Sequence, residues 1–117
     1  MGDKAKASRR GKASRRRGHG FERYIAQKMR TIGFKDARRH LEYHGDDAKG
    51  VDIDNTGPYK IQCKALKKTP NIPKVFDEIK DIGEYDVPVV AFKVDRKGEY
   101  VCLKLQDFLE LVDYWQY

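Results

Sequence analysis

The first hydrophobic pattern along the chain has helical spacing. Four apolar residues recur at intervals of four, four and three, which places them on one helix face: Phe21, Ile25, Met29 and Ile32. Gly33 follows them directly and predicts the end of the helix. Glu22 lies about 100° from Phe21 around such a helix, so we expect its carboxylate at the margin of the apolar face.

The next pattern alternates apolar and polar residues, as half-buried strands do. Residues 51–54 (VDID) and 59–66 (YKIQCKAL) follow this pattern, and the turn-forming residues 55–58 (NTGP) predict a hairpin between them. Residues 36–44 are a further candidate strand, and the polar stretch 45–50 is a predicted loop.

The second half of the chain contains two more helical patterns around an apolar run. Residues 75–82 predict an amphipathic helix, and the nearly continuous apolar run 87–95 is typical of a central buried strand. Residues 99–105 alternate and predict its hairpin partner. The last helix is expected to pack five apolar side chains: Leu105, Phe108, Leu109, Val112 and Trp115. The predicted order α-β-β-β-α-β-β-α indicates an α/β or α+β domain with a mixed sheet flanked by helices.

Strand alternation also predicts which polar side chains lie together. Asp52 and Asp54 point away from Ile53, and Gln62 and Lys64 point away from the core-facing neighbours on their own strand. A carboxylate, an amide oxygen and a lysine on adjacent strands suit metal-dependent phosphodiester hydrolysis, with Mg²⁺ as the hard cation. The backbone carbonyl of Cys63 is a further candidate ligand. The alternative is an ordinary solvent-exposed sheet face.

The charge of the chain is concentrated at its N-terminus. The net charge is +7, and residues 1–20 carry eight Lys or Arg against one Asp, so residues 21–117 are neutral overall. The composition predicts a disordered basic arm over 1–20 that binds a polyanion, followed by one domain over 21–117; the alternative is a solubilising or targeting tail. The candidate DNA-binding residues are Arg9, Arg10, Lys12, Arg15, Arg16, Arg17, Lys67 and Lys68.

Other classes of protein are disfavoured by composition. No apolar run approaches the length of a membrane span, which predicts a protein without membrane contact. The two cysteines, Cys63 and Cys102, lie in apolar strand-like runs and are expected to be reduced core residues rather than a disulfide.

Three segments resemble the PD-(D/E)xK nuclease superfamily, and within it the small Holliday-junction resolvases of archaeal and phage type. "GFERYIAQKMRTIGF" is similar to the first helix with its glutamate, "GVDID" to the segment of the motif aspartate, and "YKIQCKA" to the (D/E)xK strand. The resemblance covers most of residues 21–117 and implies a restriction-endonuclease-like core.

The resemblance also implies roles for single residues. Glu22 corresponds to the helix acid and Asp52 to the motif aspartate, both catalytic and metal-binding, while Gln62 corresponds to the second metal ligand and Lys64 to the catalytic lysine. Val51 replaces the motif proline. Gln62 replaces the usual Glu or Asp, which should weaken metal binding unless Asp54, Glu22 or the substrate phosphate compensates.

The implied function is a Mg²⁺-dependent endonuclease, with Mn²⁺ able to substitute, that cuts four-way DNA junctions as a homodimer in the cytoplasm of a bacterial or archaeal cell, or as a phage protein in its host. Three alternatives stay open: a nuclease of this fold with another DNA substrate, a DNA-binding module whose metal site has decayed, and a basic RNA-binding or ribosome-associated protein. The loop residues His44, Asp46 and Asp47 are expected to be ordinary surface side chains.

Overall fold

The computed structural model describes residues 2–41, 50–80 and 82–116, with side chains from Gly11 onward. Its elements follow the predicted order: α1 (Gly2–Thr31), β1 (Arg38–Arg39), β2 (Ile53–Asp54), β3 (Tyr59–Leu66), α2 (Ile72–Asp77), β4 (Val87–Val94), β5 (Gly98–Leu103) and α3 (Leu105–Tyr114). The predicted mixed α+β class with a mixed sheet flanked by helices is confirmed.

The larger sheet of the described residues has the strand order β3-β4-β5. β4 is parallel to β3 and antiparallel to β5, which makes the sheet mixed. Seven of the eight residues of β4 are buried or half-buried, as expected for the nearly continuous apolar run in this segment. The turn between β4 and β5 has positive φ at Arg96 (62°) and Gly98 (141°), which is compatible with the predicted hairpin.

The two faces of the sheet pack against different helices. The core on the α1 side contains Phe21, Ala26, Ala37, Ile53, Ile61, Cys63, Val89 and Ala91. The core on the α2 side contains Val75, Val90, Phe92 and Val94. Gln62 is opposite Val90 and Lys64 is opposite Phe92 in the parallel register, so both belong to the α2 side. The predicted alternation along β3 is confirmed.

The prediction that residues 51–54 and 59–66 form a hairpin is wrong, because β2 and β3 belong to different sheets. β2 pairs instead with β1, in antiparallel register. The segment is connected to β3 through Asp52, whose N–H is donated to the Ile61 carbonyl at 2.8 Å and whose carboxylate accepts the Cys63 N–H at 2.7 Å. The intervening turn has positive φ at Asn55 (65°) and Gly57 (61°), and Thr56 between them is buried.

Helix α1 extends back to Gly2, where the composition predicted a disordered arm over residues 1–20. Alanine, lysine and arginine have high helix propensity, and the packed segment that begins at Phe21 supplies a helix nucleus that these residues can extend. Gly33 has φ 126° just beyond Thr31, so the predicted helix end is confirmed. The side chains at positions 12–17 are exposed.

The two later helices differ from their predictions in length or packing. α2 begins after the N-cap Asn71, whose side chain accepts the Lys74 N–H at 3.3 Å, and ends at Asp77, several residues before the predicted end. α3 contains no buried residue, so the predicted packing of its apolar side chains is wrong within one chain. Over the described residues, no helix is long and apolar enough to cross a bilayer.

Candidate functional site

Asp52 is held between β1 and β3 by its own backbone. Its carbonyl accepts the His40 N–H at 2.7 Å, and its N–H is donated to Ile61 at 2.8 Å. Its carboxylate oxygen Oδ2 accepts the Cys63 N–H at 2.7 Å. The carboxylate is therefore fixed at the middle of β3, at the level of the predicted lysine and glutamine.

Gln62 and Lys64 are brought together by a third residue, Glu78, which follows α2. The Glu78 carboxylate oxygen Oε2 accepts a hydrogen bond from Gln62 Nε2 at 3.0 Å and forms an ion pair with Lys64 Nζ at 2.9 Å. Gln62 is 8% exposed, and the side chain of Lys64 is 29% exposed. The alternative of an ordinary solvent-exposed face is therefore wrong at Gln62.

Backbone geometry positions Glu78 at this site. It is the C-cap of α2, and its N–H is donated to the Val75 carbonyl at 3.0 Å. Gly50 packs against it so closely that a Cβ atom at position 50 would lie 1.8 Å from the Glu78 carbonyl oxygen. Sequence reasoning missed Glu78 because it is 16 residues from Gln62 and lies beyond the matched motifs. The glycine before VDID was the only local signal of this close approach.

The hydrogen-bond pattern of Gln62 leaves one oxygen unused. Its Nε2 is committed to the Glu78 carboxylate, which fixes the orientation of the amide. Its Oε1 is buried and has no hydrogen-bond partner among the described residues. A buried amide oxygen without a donor is unfavourable unless a cation or a water molecule contacts it.

Glu22 lies next to this cluster from the α1 side. Its side chain is 14% exposed and its Oε2 is 3.5 Å from an Arg39 guanidinium nitrogen. Burial and the neighbouring Asp52 carboxylate raise the pKa of Glu22, although Arg39 and His19 act in the opposite direction. The predicted position of Glu22 at the margin of the apolar face of α1 is confirmed.

The pKa of the Asp52 carboxyl is raised as well. Its pKa is raised mainly by burial and further by the Glu78 carboxylate, while the Cys63 N–H, Lys64 and His40 partly offset this rise. Glu22, Asp52 and Glu78 thus place negative charge in a partly desolvated region. A cation bound there would relieve this repulsion.

Asp54 does not join the cluster that contains Asp52. Its carboxylate oxygen Oδ1 lies 2.9 Å from His40 Nδ1, and its Oδ2 lies 3.9 Å from the Arg38 guanidinium. Compensation for Gln62 by Asp54 is therefore unsupported by the contacts, and Glu78 is the carboxylate that lies beside Gln62.

Cys63 takes part through its backbone. Burial raises the pKa of its thiol, with a further contribution from Asp52 and Glu22, so the sulfur stays protonated and is a poor metal ligand or nucleophile. Its N–H orients Asp52, and the role of its carbonyl as a metal ligand stays a prediction. Cys63 and Cys102 are free thiols, as expected.

A basic groove of about 750 Å³ lies beside Glu22, between α1 and β1. Four arginines line it, none of them among the predicted DNA-binding residues: Arg23, Arg30, Arg38 and Arg39. Sequence reasoning missed this groove because its arginines come from two elements and are balanced by acids elsewhere in the neutral domain. Arg39 links the groove to Glu22 directly.

The predicted DNA-binding residues are divided between two places. Lys12, Arg15, Arg16 and Arg17 are exposed on α1, while Lys67 and Lys68 line a separate space of about 600 Å³ after β3, together with Lys97. The side chains of Arg9 and Arg10 lie outside the described residues. So do His44, Asp46 and Asp47.

The donor set fits a hard cation that keeps part of its water shell. Over residues 2–41, 50–80 and 82–116, no three His, Cys, Asp or Glu side chains form a metal-binding group. Two carboxylates and an amide oxygen beside a lysine are nevertheless the ligands that Mg²⁺ accepts, because it is usually held by one or two carboxylates and several waters. The unpartnered Gln62 Oε1 is consistent with such a ligand position.

Comparisons of the chain with protein-family models, curated proteins and solved structures gave no match.

Proposed function

We propose that this chain is a metal-dependent DNA endonuclease with a restriction-endonuclease-like core. The observation that supports this most directly is the cluster of Asp52, Gln62, Lys64 and Glu78, in which the buried Gln62 Oε1 has no hydrogen-bond partner among the described residues. The resemblance to PD-(D/E)xK nucleases supplies the reaction class, phosphodiester hydrolysis. The Glu78 carboxylate, which accepts a hydrogen bond from Gln62, supplies the negative charge that the Gln62 amide lacks.

The cation would be held by Asp52, Gln62 Oε1 and Glu78, with Glu22 close enough that the Asp52 carboxylate raises the pKa of Glu22. Mn²⁺ would substitute for Mg²⁺, since both accept oxygen ligands. When bound, the ion would supply a Lewis acid that polarises the scissile phosphate. The Cys63 carbonyl is an additional candidate ligand on the same strand.

The side chains of this chain would perform the remaining tasks. The Cys63 N–H holds the Asp52 carboxylate in one orientation, so that little reorganisation is needed when a ligand binds. The Lys64 ammonium, held by Glu78, carries the positive charge that would stabilise the negative charge developing on the phosphate. Alternatively, the Lys64 ammonium would orient the attacking water.

DNA would reach this site along the basic surfaces. The arginine-lined groove beside Glu22 and the exposed cations of α1 suit phosphate contacts, which give salt-dependent affinity with little sequence preference. The four-way junction as substrate rests on the resemblance alone. Cleavage is therefore tested on several DNA structures together.

The decisive experiment compares cleavage of an end-labelled four-way junction, a duplex, a flap and a single strand, each in Mg²⁺ and in EDTA. We expect cleavage of the junction in Mg²⁺ only, and loss of cleavage with retained binding for Asp52→Asn. A nuclease of this fold with another substrate would cut a different DNA. A DNA-binding module with a decayed metal site would bind all forms and cut none, which would contradict the proposal.

Metal binding is tested separately from cleavage. Mg²⁺ at 100 times its Kd would stabilise the folded protein by about 2.7 kcal/mol. We expect Mg²⁺ to raise the Tm of the wild type but not of Asp52→Asn, and to raise the Tm of Glu78→Gln less. Asp86→Asn is the matched control, because its carboxylate also accepts a backbone N–H, from Gly83 at 2.7 Å, outside the site. Equal shifts in all four proteins would exclude the site.

A further inference from the structure

We propose that α3 docks into an apolar groove on a second copy of this chain, and that two copies exchange these helices reciprocally. The inference starts from α3, which has a continuous apolar stripe and no buried residue. At about 100° per residue, six of its side chains fall within roughly half of the helix circumference: Leu105, Phe108, Leu109, Leu111, Val112 and Trp115. Their exposed fractions range from 39% to 79%.

The apolar groove has a volume of about 400 Å³ and lies on the α1 side of the sheet. One wall is the end of α1, with Met29 and Ile32, and the other is β5, with Val101 and Leu103. Val89 is part of the floor. Ile32 is 74% exposed and Val101 is 64% exposed, so the groove is open apolar surface that α1 does not cover.

The helix that follows β5 is poorly placed to fill the groove of its own chain. Only Lys104 separates the end of β5 at Leu103 from the start of α3 at Leu105. Reversal of the chain onto the sheet it has just left usually requires a connection of two to six residues. A second copy has no such restriction, and it presents the same helix and the same groove.

Charge complementarity favours this occupant. The polar side of α3 contains three acids, Asp107, Glu110 and Asp113, and no Lys or Arg. The α1 wall has Lys28 on the groove, and residues 23–31 contain no acid. At about 100° per residue, Asp107 and Asp113 lie about 40° beyond the two margins of the apolar stripe, so one of them would lie along the wall that carries Lys28 when the stripe enters the groove.

The available area is also sufficient. A stable interface buries about 800 Å² on each partner. Aromatic side chains bury about 150–250 Å² each, and the stripe contains two of them with four aliphatic side chains. Two reciprocal contacts would bury two such stripes, one from each copy. The inference does not depend on the proposed nuclease activity.

The first test measures the mass of the full-length protein by sedimentation equilibrium from about 1 to 100 µM. We expect a dimer for the wild type and monomers for Phe108→Glu, on the stripe, and for Val101→Glu, on the groove. Both residues are exposed, so these variants should fold, which Tm and far-UV circular dichroism will check. Tyr114→Glu is the matched control, because Tyr114 is 73% exposed on the other side of α3 and should leave the dimer intact.

Mixing the two monomeric variants tests the reciprocal arrangement. Phe108→Glu retains an intact groove and Val101→Glu retains an intact helix, so one of the two contacts can form between them. We expect the mixture to contain a heterodimer that neither variant forms alone, with affinity at least tenfold weaker than that of the wild type.

Three outcomes would overturn the proposal. A wild type that stays monomeric to 100 µM would exclude a second copy as the occupant of these surfaces. A Val101→Glu protein that still dimerises would indicate that α3 packs on α3 instead of in the groove. Absence of any heterodimer in the mixture would exclude reciprocal exchange.

Discussion

The two faces of strand β3 are built from alternate residues, yet they have opposite chemistry. On the α1 side, Ile61 and Cys63 join an apolar core. On the α2 side, Gln62 and Lys64 bind the Glu78 carboxylate in a partly desolvated cluster. The apolar face gains stability from burial, whereas burial on the polar face raises the pKa of Asp52, whose carboxylate accepts the Cys63 N–H at the middle of β3.

This difference indicates that the two faces serve different purposes. The unpartnered Gln62 Oε1 and the repelling carboxylates favour the binding of a cation on the polar side. The α1 side extends past its core into the apolar groove, which favours the binding of another protein surface. Neighbouring side chains on one strand can therefore be separated by their effects on activity, stability and pH dependence.

The largest expected effect is on catalysis from the polar face. Lys64→Met should lower the rate of DNA cleavage by about 10²- to 10⁴-fold, because the ammonium or amine that assists the reaction is removed. Single-turnover cleavage at saturating enzyme measures this rate. Lys60→Met is the control on the same face of the same strand, where Lys60 donates only to the Gly57 carbonyl at 3.2 Å. Equal losses in both variants would argue against a catalytic role.

A change on the apolar face should affect stability instead. Ile61→Ala removes a side chain that is 4% exposed and should lower the free energy of unfolding by about 2–4 kcal/mol, through reduced burial and a residual cavity. Urea unfolding in dilute protein measures it. Ile32→Ala, the same change at 74% exposure, should cost less than about 0.5 kcal/mol. The cleavage rate per folded Ile61→Ala molecule should match that of the wild type. A large loss would show that a residue of the apolar face also affects activity.

A smaller effect is expected on the proposed DNA binding by the exposed arginines of α1. Replacing Arg15, Arg16 and Arg17 by glutamine should weaken DNA binding about tenfold and reduce the slope of log K against log salt by about 0.9 for each phosphate that the protein no longer neutralises. Fluorescence anisotropy at four salt concentrations measures the slope. Ser14→Ala is the control, since it removes only the hydrogen bond from Arg17 at 3.2 Å. An unchanged slope would show that these arginines do not contact phosphate.

The smallest effect concerns the cost of burying Asp52. Because its pKa is raised in the folded state, folding favours the protonated carboxyl, and the stability this gives is lost as the pH rises through the folded pKa. Asp52→Asn should therefore be more stable than the wild type at pH 7, by on the order of 1 kcal/mol, and the difference should vanish below about pH 4. Asparagine still accepts the Cys63 N–H.

Urea unfolding at pH 4 and pH 7 in EDTA measures this difference. Asp86→Asn, outside the site, should show no gain that grows with pH. A wild type more stable than Asp52→Asn at pH 7 would mean that ion pairing outweighs desolvation at Asp52, contrary to the expected balance.

The sequence predicted the structure correctly where a single local rule decided it. The spacing of Phe21 and Ile25 predicted the packed part of α1. The alternation of apolar and polar residues along β3 predicted that Ile61 and Gln62 lie on opposite sides of the sheet. The hairpin failed because turn propensity predicts a reversal of the chain but not which strand pairs with Ile53 and Asp54, and these residues pair with β1. The packing of α3 failed because an amphipathic pattern shows that a face needs a partner but not which molecule supplies it.

By itself, the sequence determined the order of elements, the polarity of each strand face and the identities of Asp52, Gln62 and Lys64 as neighbours, because backbone periodicity fixes side-chain direction over a few residues. Only the tertiary structure brought Glu78 to Gln62, paired Asp54 with His40 and left α3 without a buried residue. These outcomes depend on the path of the chain between elements, including the contact of Gly50 with Glu78, and no local spacing encodes that path.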